Sequence, residues 1–84
     1  MSWQAGLMAP DNIDVVPITG DMIRLGQFLK FANFAESGAA AGDLIQGGDV
    51  KVDGEVETRR GRQLGKGMLV EVQLPGTTLA ARVG

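Results

Sequence analysis

Residues 50–56, Val50-Lys51-Val52-Asp53-Gly54-Glu55-Val56, leave the backbone few options. Val50 and Val52 alternate with Lys51 at the two-residue period of a strand. Asp53-Gly54 is the kind of dipeptide that accepts the left-handed φ values of a two-residue hairpin turn. Val56 resumes the pattern on the return strand, so a tight β-hairpin is expected here.

The flanking segments follow from the same kind of reading. Met68-Leu69-Val70-Glu71-Val72-Gln73-Leu74 reads as another strand, ended by Pro75-Gly76, and residues 79–83 as a last one. Residues 12–18 hold a short β-branched run closed by Thr19-Gly20, and Pro17 confines that strand to a sheet edge. Asp21 is expected to cap a first helix, in which Ile23, Leu25, Phe28, Leu29 and Ala32 recur at three- and four-residue spacing and Arg24, Gln27 and Lys30 fall on another face. Residues 33–36 form a connector. Ser37 caps a second helix through Ala39, Ala40, Ala41, Leu44 and Ile45, stopped by Gly47-Gly48. Small residues from Gly38 to Gly42 let this helix approach its neighbour closely, and Gly42 costs about 1 kcal/mol of helix propensity relative to Ala. The order is one strand, two helices, then three or four strands: an α+β class with two helices packed against a small sheet.

Composition excludes several functions. At 84 residues and 44% hydrophobic, the chain fits one small domain with a thin core, expected over residues 13–84 after a flexible N-terminal tail over 1–12 that carries Trp3. It has neither cysteine nor histidine. Disulfides, the commonest zinc ligands and Ser-His or Cys-His nucleophiles are thereby removed. The carboxylates are scattered, so no catalytic pair, cofactor, metal or small-molecule substrate is expected. Residues 49–60 imitate a calcium loop but place Lys51 and Arg60 where acids should stand. Residues 61–66 imitate the end of a phosphate-binding loop, with the spacing one residue short and Gly67 in place of Ser or Thr. No apolar run is long enough to span a bilayer and residues 1–12 lack the basic start and apolar core of a signal peptide, so a soluble cytoplasmic protein without membrane contact is expected.

Charge is the remaining signal. The net charge is -2, yet residues 1–50 hold two bases and six acids whereas residues 51–84 hold six bases and four acids. Within the second half, Thr58-Arg59-Arg60-Gly61-Arg62-Gln63-Leu64-Gly65-Lys66-Gly67 contains four cations and no acid. The three arginines offer planar forks for phosphate, Lys66 a point charge, Gln63 a further hydrogen bond, and the glycines close backbone approach. A strand would put Arg59 and Arg60 on opposite faces; a bend at Gly61 changes that. A solvated surface loop explains a bare basic cluster equally well. Phe28 and Phe34 read as core and inter-helix packing, so RNA binding would rest on phosphates and shape rather than stacking.

Residues 23–30 (Ile-Arg-Leu-Gly-Gln-Phe-Leu-Lys), Glu36-Ser37-Gly38 with Leu44-Ile45, and residues 48–55 (Gly-Asp-Val-Lys-Val-Asp-Gly-Glu) together resemble the S-four RNA-binding domain, named after the fourth protein of the small ribosomal subunit. Residues 56–64 narrow the likeness to the YbcJ-like group of small stand-alone bacterial proteins. The resemblance covers roughly residues 18–74. It implies an S-four-like, αL-type RNA-binding fold, an αα turn packed on a small, bent, mostly antiparallel sheet, with structured RNA such as ribosomal or transfer RNA docking on the helices and hairpin. Carried over by position, Arg24, Lys30, Lys51, Arg59, Arg60, Arg62, Gln63 and Lys66 would form one RNA-binding patch on a monomer. Ser37-Gly38 and Gly42 stand where basic residues are frequent, and Asp53 where Asn is usual, which shifts the expected contacts toward residues 59–66. The expected function is non-enzymatic recognition of structured RNA; the alternative is a ribosome-associated or other protein-interaction adaptor using the same patch. A module that serves a separate modifying enzyme is a third reading.

Overall fold

The computed structural model describes residues 13–84; the tail expected over residues 1–12 lies outside them. Its elements are β1 (Asp14–Val16), β2 (Met22–Arg24), α1 (Leu25–Phe31), α2 (Gly38–Gln46), β3 (Val50–Val52), β4 (Glu55–Val56), β5 (Gln63–Gly65), β6 (Leu69–Leu74) and β7 (Thr77–Val83). A five-stranded sheet runs in the order β1-β7-β6-β3-β4, and β2 and β5 form a separate two-stranded ribbon. Only β1 with β7 is parallel; the other pairs are antiparallel. Two helices with a mainly antiparallel sheet make this the expected α+β class, with β1 on the edge to which Pro17 had confined it. Among the described residues no helix is long and apolar enough to cross a membrane.

The hairpin forms as its sequence demands. Asp53 (φ +50°) and Gly54 (φ +87°) both adopt left-handed backbone, the pair of values a type I′ turn needs. The Asp53 carboxylate also accepts a hydrogen bond from Leu69 N–H at 2.9 Å, and Asp53 N–H donates to Leu69 C=O at 2.8 Å. The turn is thereby tied to the start of β6. Alternation buries Val50 and Val52 against Val70 and Val72, and all four face a core completed by Leu25, Phe28, Leu29, Ala41, Ile45, Leu64, Ala81 and Val83.

Helix α2 starts as expected, with Ser37 Oγ accepting from Ala40 N–H at 3.1 Å. Helix α1 does not. Asp21 lies before a strand, and Arg24 holds the N-cap position in extended backbone without a side-chain cap. The first N–H groups of the helix find partners in a distant segment instead: Leu25 N–H donates to Arg62 C=O at 2.8 Å and Gly26 N–H to Arg60 C=O at 3.0 Å. Orphan donors at a helix start must be satisfied somewhere, and a returning chain serves as well as a side chain. That return also explains β2 and β5, read as helix and loop in the sequence. Pairing Ile23 with Leu64 draws residues 22–24 into extended backbone and buries Leu64.

The approach is close enough to require glycine. A Cβ at Gly26 would lie 2.6 Å from Arg60 Cγ, near the root of a side chain with little room to retreat. We therefore expect Gly26→Ala to destabilise the fold by about 1–3 kcal/mol through overpacking, despite alanine's better helix propensity. In an Arg60→Ala background the same change should cost nothing or stabilise. Urea midpoints of the four proteins in this cycle check both statements; a Gly26→Ala protein as stable as the parent would contradict the first.

Candidate nucleic-acid interface

Beyond β4 the chain is shaped by one carboxylate. Glu57 N–H donates to Val50 C=O at 3.0 Å, which holds residue 57 against the hairpin, and its side chain is buried. Its oxygens accept from Arg59 Nε at 3.0 Å, Arg59 N–H at 3.1 Å and Arg62 Nη1 at 2.7 Å. Hydrogen bonds from the Arg59 and then the Arg62 guanidinium lower the Glu57 pKa from 4.5 to about 2, against an opposing push from burial. One acid thus orients two arginines and leaves the trio with a net positive charge. The Arg59 side chain stays 74% exposed and that of Arg62 33%. Arg62 N–H closes the turn onto Arg59 C=O at 3.2 Å, with Arg60 and Gly61 at its tip.

The turn divides the cations between two hollows. Arg60 runs across the helices: a Cβ at Gly42 would sit 3.4 Å from both its Cδ and its Nη1, so Gly26 and Gly42 form the bed on which this side chain lies. With Arg24, Gln27, Lys30, Gly38 and Gly61 it lines a shallow groove of about 460 Å³. Arg59, Arg62 and Gln63 line a second hollow of about 470 Å³, and Gly61 borders both. Arg24 stands directly across from Gln63 in the β2–β5 ribbon, which bridges the two groups, and both side chains are exposed while Leu64 is buried.

Of the eight residues singled out in the sequence, six therefore meet around Gly61: Arg24, Lys30, Arg59, Arg60, Arg62 and Gln63. Lys51 does not line these grooves. It alternates with buried Val50 and Val52, across from Glu71 on the face of the sheet turned away from the core. Lys66 lies in the turn after β5 and lines neither groove. Phe28 is fully buried and Phe34 packs against the core, as their spacing suggested. Glu57 and the role of Gly26 escaped the sequence reading, which placed Gln27 beside Arg24 and Lys30 and read Gly42 as allowing close helix packing without naming either as part of the site. An acid two residues before an arginine run was the available sign of Glu57; nothing local announces that two glycines on separate helices face one arginine.

Another hollow beside the helix pair is acidic. It measures about 620 Å³, is lined by Asn33, Phe34, Glu36, Asp43, Leu44 and Asp49, among others, and repels polyanions. Among the described residues no group of three His, Cys, Asp or Glu side chains is placed to hold a metal ion.

The Glu57 pairing has a signed pH dependence. Its carboxylate binds protons more weakly in the fold than in the unfolded chain, so its stabilisation is complete above about pH 4.5 and is lost as the pH falls toward 2. Replacing Glu57 by Gln should cost about 1.5–3 kcal/mol near neutral pH, the range for hydrogen bonds to charged groups. The difference from the parent should shrink steadily on acidification. Urea titrations of both proteins between about pH 2 and 7 measure this, and parallel stability curves would rule it out.

Comparison with known proteins identifies the family. The family model of the S4 domain matches residues 16–80. A protein of Bacillus subtilis (strain 168) named "Probable ribosome maturation protein RlbA" is 41% identical over 58 residues, which cover 69% of this chain and 82% of that protein. The match takes in both helices, the hairpin and the arginine turn, and the chain belongs to the S4 domain family.

Proposed function

We propose that this protein binds structured RNA without catalysing a reaction, and that it acts in the maturation of ribosomes in the cytoplasm. The observation that carries the reading is the convergence of Arg24 and Lys30, from one end of the chain, with Arg60 in a single groove that meets the Arg59–Arg62–Gln63 hollow at Gly61. Arginine forks set on a rigid turn suit the phosphates of a folded backbone. The S4 domain match supports RNA as the ligand, and the relative named for ribosome maturation supports the process.

Arg60 is the central contact on this reading. It has no carboxylate partner among the described residues, whereas Arg59 and Arg62 share Glu57. Lys51 and Lys66, outside both grooves, contribute longer-range attraction. The two hollows are shallow and lined by cations, which suits a backbone laid across them better than an enclosed small molecule.

Anisotropy titrations with ribosomal RNA fragments at stepped potassium chloride concentrations test this. Phosphate contacts from Arg24, Lys30, Arg59, Arg60 and Arg62 should give a log–log salt slope of about -3.5 to -4.5, at 0.7–0.9 per contact. Arg60→Ala should lower the magnitude of that slope by about one and weaken binding to all RNAs alike. Lys51→Ala should do less. Arg82→Ala should change the slope far less, because Arg82 lines neither groove and its Nη1 donates to the Gly67 carbonyl at 2.8 Å. Affinity that ignores salt, or that survives Arg59→Glu combined with Arg60→Glu, would sink the proposal.

A further inference from the structure

The basic groove shares a wall with an apolar surface. Phe31, at the end of α1, is 57% exposed and Met22 is 52% exposed, although both are large and hydrophobic. Gln27, Lys30 and Phe31 follow one another at the three- and four-residue spacing that places them on one helix face. Ile23, Gln27, Lys30 and Phe31 line a hollow of about 390 Å³, and Ile18, Thr19, Met22, Ile23, Gln27 and Phe31 line a smaller one of about 160 Å³ beside it. Gln27 and Lys30 also line the groove that holds Arg24 and Arg60. Lys30 is thus the ridge between a cationic groove and an aromatic hollow.

We propose that Phe31, backed by Ile23 and Met22, is the stacking platform for an unpaired base of the RNA whose phosphates lie in the adjoining groove. This rests on the RNA-binding reading above and adds a subsite to it. An exposed ring beside cations is the arrangement that holds a splayed base: the ring takes the π-face, the cation holds the neighbouring phosphate, and Gln27 on the shared wall offers hydrogen bonds to a base edge. The charge of the neighbourhood selects this occupant. An apolar segment of a protein would have to leave Lys30, Arg24 and Arg60 unmatched, whereas a nucleotide satisfies ring and cations together.

The test uses two RNA hairpins with the same stem, one fully paired and one with a single 2-aminopurine bulge, titrated at low salt with the parent protein, Phe31→Ala and Phe31→Trp. The parent should bind the bulged hairpin more tightly and quench its fluorescence. Phe31→Ala should weaken bulge binding by about 5- to 100-fold, the range for loss of one base–aromatic stack, and abolish quenching. Its affinity for the paired hairpin, its salt slope and its melting temperature should stay unchanged, because the ring is exposed. Phe31→Trp should restore both affinity and quenching. If the parent binds both hairpins with the expected salt slope and Phe31→Ala changes neither, the platform is wrong and the phosphate reading stands. If the parent binds neither hairpin, both fall. Parent self-association in sedimentation that Phe31→Ala abolishes would assign the ring to a second copy of the chain and overturn the proposal.

Discussion

The docking of the arginine turn on the start of α1 organises this molecule. The helix is seven residues long and begins without a side-chain cap, so its first two N–H groups depend on the carbonyls of Arg62 and Arg60. Those bonds fix the backbone of the turn against the helix, and the β2–β5 ribbon fixes its far end through Leu64 in the core. The residues that carry the positive charge are thus also those whose backbone completes the fold. A charged loop held only by its ends would lose conformational entropy on meeting a ligand; this one has lost it already.

Glu57 extends the same economy to side chains. An acid within a basic site subtracts charge and therefore long-range attraction. Here it fixes two guanidiniums at hydrogen-bond distance and leaves most of Arg59 exposed. The site gives up part of its field and gains orientation. The acidic hollow lined by Glu36, Asp43 and Asp49 acts in the same direction at the scale of the whole molecule. With a net charge of -2 the protein has little general attraction for polyanions, so on the proposed reading attraction rests on the face where Arg24, Lys30, Arg59, Arg60 and Arg62 converge.

How much of this was legible in the sequence depended on how local its cause was. The Asp53-Gly54 turn, the Ser37 cap, the edge strand before Pro17 and the alternation of β3 and β6 are set by neighbouring residues, and each was readable. The β2–β5 ribbon was not, because three-residue strands far apart in sequence carry almost no pattern of their own and exist through their pairing. The same non-local cause made Asp21 a false cap. Among the charges, a bend at Gly61 was foreseeable as a way to regroup the arginines, yet the structure uses that bend to part Arg60 from Arg59. Phe31 was passed over because its neighbours Phe28 and Leu29 account for the buried face of α1, and nothing in the spacing shows which aromatic is left outside.

The glycines on α2 take on a different meaning in this light. Read linearly, Gly38 and Gly42 are losses, positions where resembling domains place cations and where glycine weakens a helix. In the fold, Gly42 leaves the space through which Arg60 Cδ and Nη1 pass, and Gly26 does the same beneath Arg60 Cγ. A basic side chain at 42 and the present course of Arg60 would compete for one volume. The chain thus supplies from the turn a cation that α2 does not provide, and it does so with a guanidinium whose stem lies on two helices and whose carbonyl is bonded to one of them. A side chain at 42 would start from α2 alone; Arg60 starts from a residue whose carbonyl is bonded to α1 and passes over the bare backbone of both helices, so its course is set by their packing rather than by one helix.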